Sequence, residues 1–101
     1  MLEVTLTRDD LDGLIAQYEF EALRFGARAA ARLVHWRAQS PGPAEVTEGD
    51  LSTLIKHYDG LTSAAYRRMR RQGDRSQARA QLAEGRDRRS YWLQVLGTAF
   101  G

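Results

Sequence analysis

The sequence predicts an all-α fold: an antiparallel, up-down-up three-helix bundle preceded by a short extended N-terminal arm. Two observations carry this. Long stretches place apolar residues at i, i+3, i+4 and i+7, the period of a helix with one covered face. Chain-breaking residues concentrate in two places, SPGPAEVTEGD (40–50) and QGD (72–74), and connections that short favour antiparallel neighbours. At 101 residues the chain is read as a single helical domain over 1–101, with helices at about 8–38, 48–71 and 75–99.

Before the first helix, Leu2, Val4 and Leu6 alternate with Glu3 and Thr5, a period of two that suits a short strand. A lone strand is marginal without a partner, so the arm is expected to lie on the bundle or to pair with a second copy. The first helix has Thr7 as its N-cap and Asp10 three residues on, in a capping-box arrangement, with Asp9, Asp10 and Asp12 at the positive end of the helix dipole. Its main apolar face reads Leu11, Leu14, Ile15, Tyr18, Ala22, Phe25, Ala29, Leu33 and Trp36. A second strip adds Phe20, Leu23, Ala27, Ala30 and Val34, which implies cover on more than one side.

The second helix, starting near Thr47 or Asp50, carries one stripe: Leu51, Leu54, Ile55, Tyr58, Leu61, Thr62, Ala65 and Met69. The third has Asp74 as N-cap with Gln77 at its third position, and its stripe reads Ala78, Leu82, Gly85, Arg89, Trp92, Leu93, Leu96 and Phe100. Arg89 is the charged member of that stripe. An unpaired buried guanidinium is too costly to persist, so a partly buried ion pair is expected from Arg89 to Asp59, Glu19 or Glu21, which the bundle register places at its level. No internal repeat or low-complexity tract appears.

Composition narrows the function classes. With no cysteine, neither disulfides nor thiolate metal sites are available. Acidic residues scattered through the first twenty exclude a secretory signal, and no stretch approaches the roughly 20 apolar residues of a spanning helix, so a cytoplasmic, non-membrane protein is expected. His35 and His57 are the only imidazoles, and neither lies in a metal-ligand motif; no glycine-rich phosphate loop exists. Arg28 and His35 fit the permissive Arg-x(4–6)-His spacing of some helical ribonucleases, a pattern loose enough to arise by chance. The expectation is a non-enzyme with no cofactor, no metal and no small-molecule substrate.

Two surfaces invite partners. The chain ends SYWLQVLGTAFG, twelve residues without a charge in a protein that is 28% charged. Its surplus apolar surface, with the end of the first helix, predicts a homodimer or another protein partner docked on Tyr91, Trp92, Val95, Phe100 and Val34, unless the arm or the 40–50 loop covers it. The other surface is the tip RRMRRQGDRSQAR (67–79), where Arg67, Arg68, Arg70, Arg71, Arg75 and Arg79 have the density of a phosphate-binding patch. The first four point around most of the exposed circumference, and no recognised nucleic-acid motif accompanies them. A solvated face partly neutralised by the acids of the first helix, a nucleic-acid site and a dock for an acidic protein all remain open. A further stripe, Arg24, Arg28 and Arg32 with Gln17 and His35, is read as the water-facing side of an amphipathic helix, with a dock for an acidic surface or a nucleic-acid backbone as the alternative. The functional expectation is a small non-enzymatic α-helical interaction or adaptor module that self-associates or docks as a subunit of a larger assembly, with nucleic-acid binding through the arginine-rich tip as the alternative.

Overall fold

A computed structural model describes residues 1–71 and 76–100. The protein is mostly helical, with a small two-stranded antiparallel sheet, in the order β1 (Leu2–Leu6), α1 (Arg8–Phe25), α2 (Ala27–Arg37), β2 (Gly42–Val46), α3 (Glu48–Arg71) and α4 (Ser76–Phe100). Among the described residues four helices replace the expected three. The second and third expected helices appear as α3 and α4, but the helix expected over 8–38 is two helices, and the 40–50 loop contains a strand. The chain divides into two compact units, Met1–Leu54 and Ile55–Gly101, with α3 beginning in the first and running into the second.

In the first unit, the N-terminal arm finds its partner within the same chain. β1 pairs with β2 in the register Leu2↔Val46, Val4↔Ala44, Leu6↔Gly42. Leu2, Val4 and Leu6 alternate inward with Gly42, Ala44 and Val46, while Glu3, Thr5, Pro43 and Glu45 face out. Pro43 is tolerated because each strand of a two-stranded ribbon is an edge. Thr7 then opens α1 through a reciprocal capping box: its hydroxyl accepts from the Asp10 N–H and its own N–H donates to Asp10 Oδ2, both at 3.0 Å.

α1 stops at Gly26, whose φ of 79° and ψ of −135° are closed to residues with a Cβ. The Gly26 carbonyl accepts from Ala30 at 3.1 Å, so one residue ends α1 and starts α2. The two helices fold back as a hairpin, and Arg37 at the end of α2 donates to Glu19 of α1 at 3.0 Å. Leu6, Leu11, Leu14, Tyr18, Leu33, Trp36, Val46, Leu51 and Leu54 are buried, joining ribbon, hairpin and the start of α3 in one apolar core.

The second unit is a helical hairpin as well. A Cβ on Gly85 of α4 would stand 2.8 Å from Thr62 Oγ1 and 3.7 Å from the Tyr58 carbonyl on α3, so glycine is what lets the helices approach there. Thr62 is held in place, its hydroxyl donating to the Tyr58 carbonyl at 2.9 Å. Gly85 lies nine residues after the start of α4 and Thr62 nine before the end of α3, which makes the pair antiparallel. Ala65, Ala78, Leu82 and Trp92 are buried, as the stripes require, but Leu61, Leu93 and Phe100 from the same stripes are exposed.

Candidate functional site

The most organised polar constellation is built around Asp50, at the third position of α3. As the acid of a second capping box, Asp50 accepts from the Thr47 N–H through Oδ2 at 2.9 Å, while its own N–H donates to Thr47 Oγ1 at 3.0 Å. Three long side chains from the α1–α2 hairpin converge on the same carboxylate. The Tyr18 hydroxyl donates to Oδ1 at 2.5 Å, Trp36 Nε1 donates to Oδ1 at 3.1 Å, and Arg32 spans both oxygens through Nε at 3.1 Å and Nη2 at 2.5 Å. Arg32 and Trp36 are one helical turn apart on α2, which stacks the guanidinium 5.6 Å from the indole centroid.

The electrostatics follow from this geometry. Burial by itself raises the pKa of Asp50, but the hydrogen bonds from Arg32, Tyr18, the Thr47 backbone and Trp36 outweigh it, and the carboxyl lies below its ordinary range. Burial, followed by the bond to Asp50, pushes the Tyr18 phenol up to about 12. Arg32 is raised by its bond to Asp50. The carboxylate is fully occupied by donors and the phenol is committed as a donor. Neither is free to act as a base or nucleophile, and the cluster fastens strand, hairpin and helix together.

A sequence signal for this cluster exists. Thr-x-x-Asp-Leu-x-x-Leu-Ile-x-x-Tyr occurs at Thr7–Tyr18 and again at Thr47–Tyr58, and Arg-x-x-x-Trp occurs at Arg32–Trp36 and Arg88–Trp92. The chain thus carries an internal repeat, contrary to the first expectation. The structure expresses it: the ribbon register is symmetric about Val4 and Ala44, each strand runs into a Thr–Asp capping box, and Asp10 and Asp50 are both buried. Arg32 belonged, on periodicity alone, to the water-facing Arg24–Arg28–Arg32 stripe; it instead reaches Asp50, while Arg24 and Arg28 are exposed.

Beside the cluster, Met1, Glu3, Arg32, His35, Gln39, Pro43, Ala44 and Glu45 line an open concavity of about 340 Å³. Glu3 and Glu45 are cross-strand neighbours there. His35 lines it and Arg28 does not, although both belong to α2; His35 stands edge-on to Trp36 at 4.9 Å. Among the described residues no three His, Asp or Glu side chains are grouped to hold a metal ion, and no helix is long and apolar enough to cross a membrane.

The remaining site residues are dispersed. Arg89 pairs with Asp59 at 3.1 Å, with side chains 41% and 63% exposed, so this ion pair lies at the surface edge of the stripe. Glu19 serves Arg37 instead, and Glu21 is half-buried. Of the expected interface anchors, Val34, Tyr91 and Phe100 are exposed and Val95 is half-buried. Trp92 is fully buried beneath Arg88, whose guanidinium lies 5.4 Å from its ring, so it is a core residue and cannot serve as an exposed anchor. Arg67, Arg68, Arg70, Arg71 and Arg79 are all exposed; Arg75, like the expected N-cap Asp74, lies outside the described residues. Compared with protein families, characterised proteins and solved structures, the chain matches none of them.

Proposed function

We propose that this chain is a small non-enzymatic α-helical interaction module, working in the cytoplasm, that self-associates or docks as a subunit of a larger assembly. The observation that carries the reading is the contrast between its polar and apolar groups. The organised polar cluster is consumed internally by Asp50, whereas Leu23 and Val34 are 89% and 70% exposed and Tyr91 and Phe100 also reach solvent. Exposed apolar side chains of this size cost solubility unless something covers them. Light scattering after size exclusion tests it. The expected result is a mass above the monomer that falls to a folded monomer on Val34→Glu or Tyr91→Glu. A wild type that stays monomeric at high micromolar concentration refutes self-association.

A second reading, a phosphate-backbone site at the arginine-rich end of α3, is favoured by one specific observation. Arg67, Arg68, Arg70 and Arg71 are all exposed, which sets four guanidinium groups within five residues at the end of one helix. Retention on nucleic acid that weakens steeply with rising salt is the expected outcome; no retention at physiological salt removes this reading.

A further inference from the structure

The two copies of the repeat differ in length at one place. From Tyr18 to Arg32 is 14 residues and from Tyr58 to Arg88 is 30, so the second copy is longer by sixteen. The first copy turns on Gly26 alone; at the equivalent position the second has Tyr66, and α3 runs on to Arg71. Residues 66–81 contain Arg67, Arg68, Arg70, Arg71, Arg75 and Arg79. The first hairpin closes without any such extension, so the added length is not a requirement of the repeat.

Nor does helix stability account for it. Arginines in a last turn complement the helix dipole, but Arg67 repels Arg70 and Arg71 at i+3 and i+4. Tyr66 is 51% exposed, and the Arg70 guanidinium lies 5.8 Å from its ring centroid. At 100° per residue Tyr66, Arg70, Arg67 and Arg71 occupy an arc of about 140°. The surface is therefore an aromatic ring bordered by exposed guanidinium groups on one side of a helix.

We propose that this face of α3, Tyr66 with Arg67, Arg70 and Arg71, binds single-stranded nucleic acid. The proposal rests on the phosphate-backbone reading above and adds the class of strand. Arginines follow the phosphates, and the tyrosine ring offers a platform on which an unpaired base stacks. A duplex keeps its base faces inside the stack and has nothing to place on that ring. The β1–β2 ribbon, a shape that a duplex groove admits, carries Glu3 and Glu45 on its outward face, which repel phosphate.

Fluorescence anisotropy of the full chain tests this, using a labelled 12-nucleotide oligothymidylate, its oligouridylate counterpart, a duplex of equal length and heparin, each over a salt series. Single strands are expected to bind at least tenfold tighter than duplex. Tyr66→Leu is expected to weaken single-strand binding by about 5- to 100-fold while leaving heparin binding unchanged, with Tyr66→Trp restoring it. Replacing Arg67, Arg70 and Arg71 by Gln is expected to reduce the salt slope by about 2. Circular dichroism of each variant checks that the helices persist. Equal affinity for duplex and single strand, or a Tyr66→Leu protein that binds like wild type, overturns the proposal but leaves the phosphate-backbone reading standing. Failure to bind any of the four probes overturns both.

Discussion

Residues 7–18 and 47–58 carry the same motif and nearly the same pattern of burial, yet the helices they open end differently. Both begin with a ribbon strand, a threonine cap and a buried aspartate. The first then breaks at Gly26 and folds back at once, while the second continues to Arg71. The common part is what a helical hairpin needs to enter a core. In the divergent part, Tyr66, Arg67, Arg68, Arg70 and Arg71 are exposed, and four of these five are charged.

The largest expected effect tests whether the two aspartates are equivalent. Asp50→Ala leaves Arg32, Tyr18 and Trp36 without their acceptor, and a loss of about 3–5 kcal/mol in urea unfolding is expected. Asp10→Ala is expected to cost as much. A loss of only about 1 kcal/mol, the worth of a cap, would show that the two buried aspartates differ in what they hold together.

The same cluster dictates a pH dependence. Because the folded Asp50 carboxyl titrates below its ordinary range, its contribution is complete above that range and is lost as pH falls through the folded value. Tyr18, raised from 10.0 to about 12, acts in the opposite direction: its contribution is present below pH 10 and declines as pH rises toward 12. Thermal melts across that alkaline window are expected to show the decline in wild type and a smaller one in Tyr18→Phe.

Next come the two glycines that shape the hairpins. Gly85→Ala drives a methyl group against Thr62 and is expected to cost about 1–3 kcal/mol through overpacking. Gly26→Ala meets no atom within 4 Å, so its expected cost, also about 1–3 kcal/mol, is backbone strain alone. Combining Gly85→Ala with Thr62→Ala, which removes the clashing hydroxyl, should recover part of the first loss, whereas no side-chain change relieves the second. The smallest effect belongs to Arg89→Ala: the exposed pair with Asp59 is expected to shift stability by less than about 1 kcal/mol. A larger loss would place Arg89 in the framework of the second hairpin.

How much of this was legible beforehand varies by element. The Thr7 cap, α3 and the buried positions of α4 up to Trp92 follow from capping chemistry and period. The break at Gly26 was hidden because alanine and arginine continue the helical pattern on both sides, and one glycine is tolerated within a helix at a cost of about 1 kcal/mol. β2 was hidden because the prolines and glycines of SPGPAEVTEGD read as a loop, although Ala44 and Val46 repeat the alternation of Val4 and Leu6. The Asp50 cluster was hidden because Arg32 continues a regular arginine stripe and Asp50 is already explained by its cap.

By itself the sequence determined the helical periods, the cap chemistry, the charge of the 66–81 extension and, once aligned with itself, the repeat. These are local properties, written in spacings of three, four and two residues. Only the tertiary structure decided that the arm pairs with residues 42–46, that α1 folds back at Gly26, and that Asp50 takes its donors from Tyr18, Arg32 and Trp36. Those contacts join residues 14 to 44 positions apart. Local preference leaves such choices nearly balanced, and it is the burial of apolar surface, with the need to satisfy a buried carboxylate, that selects among them.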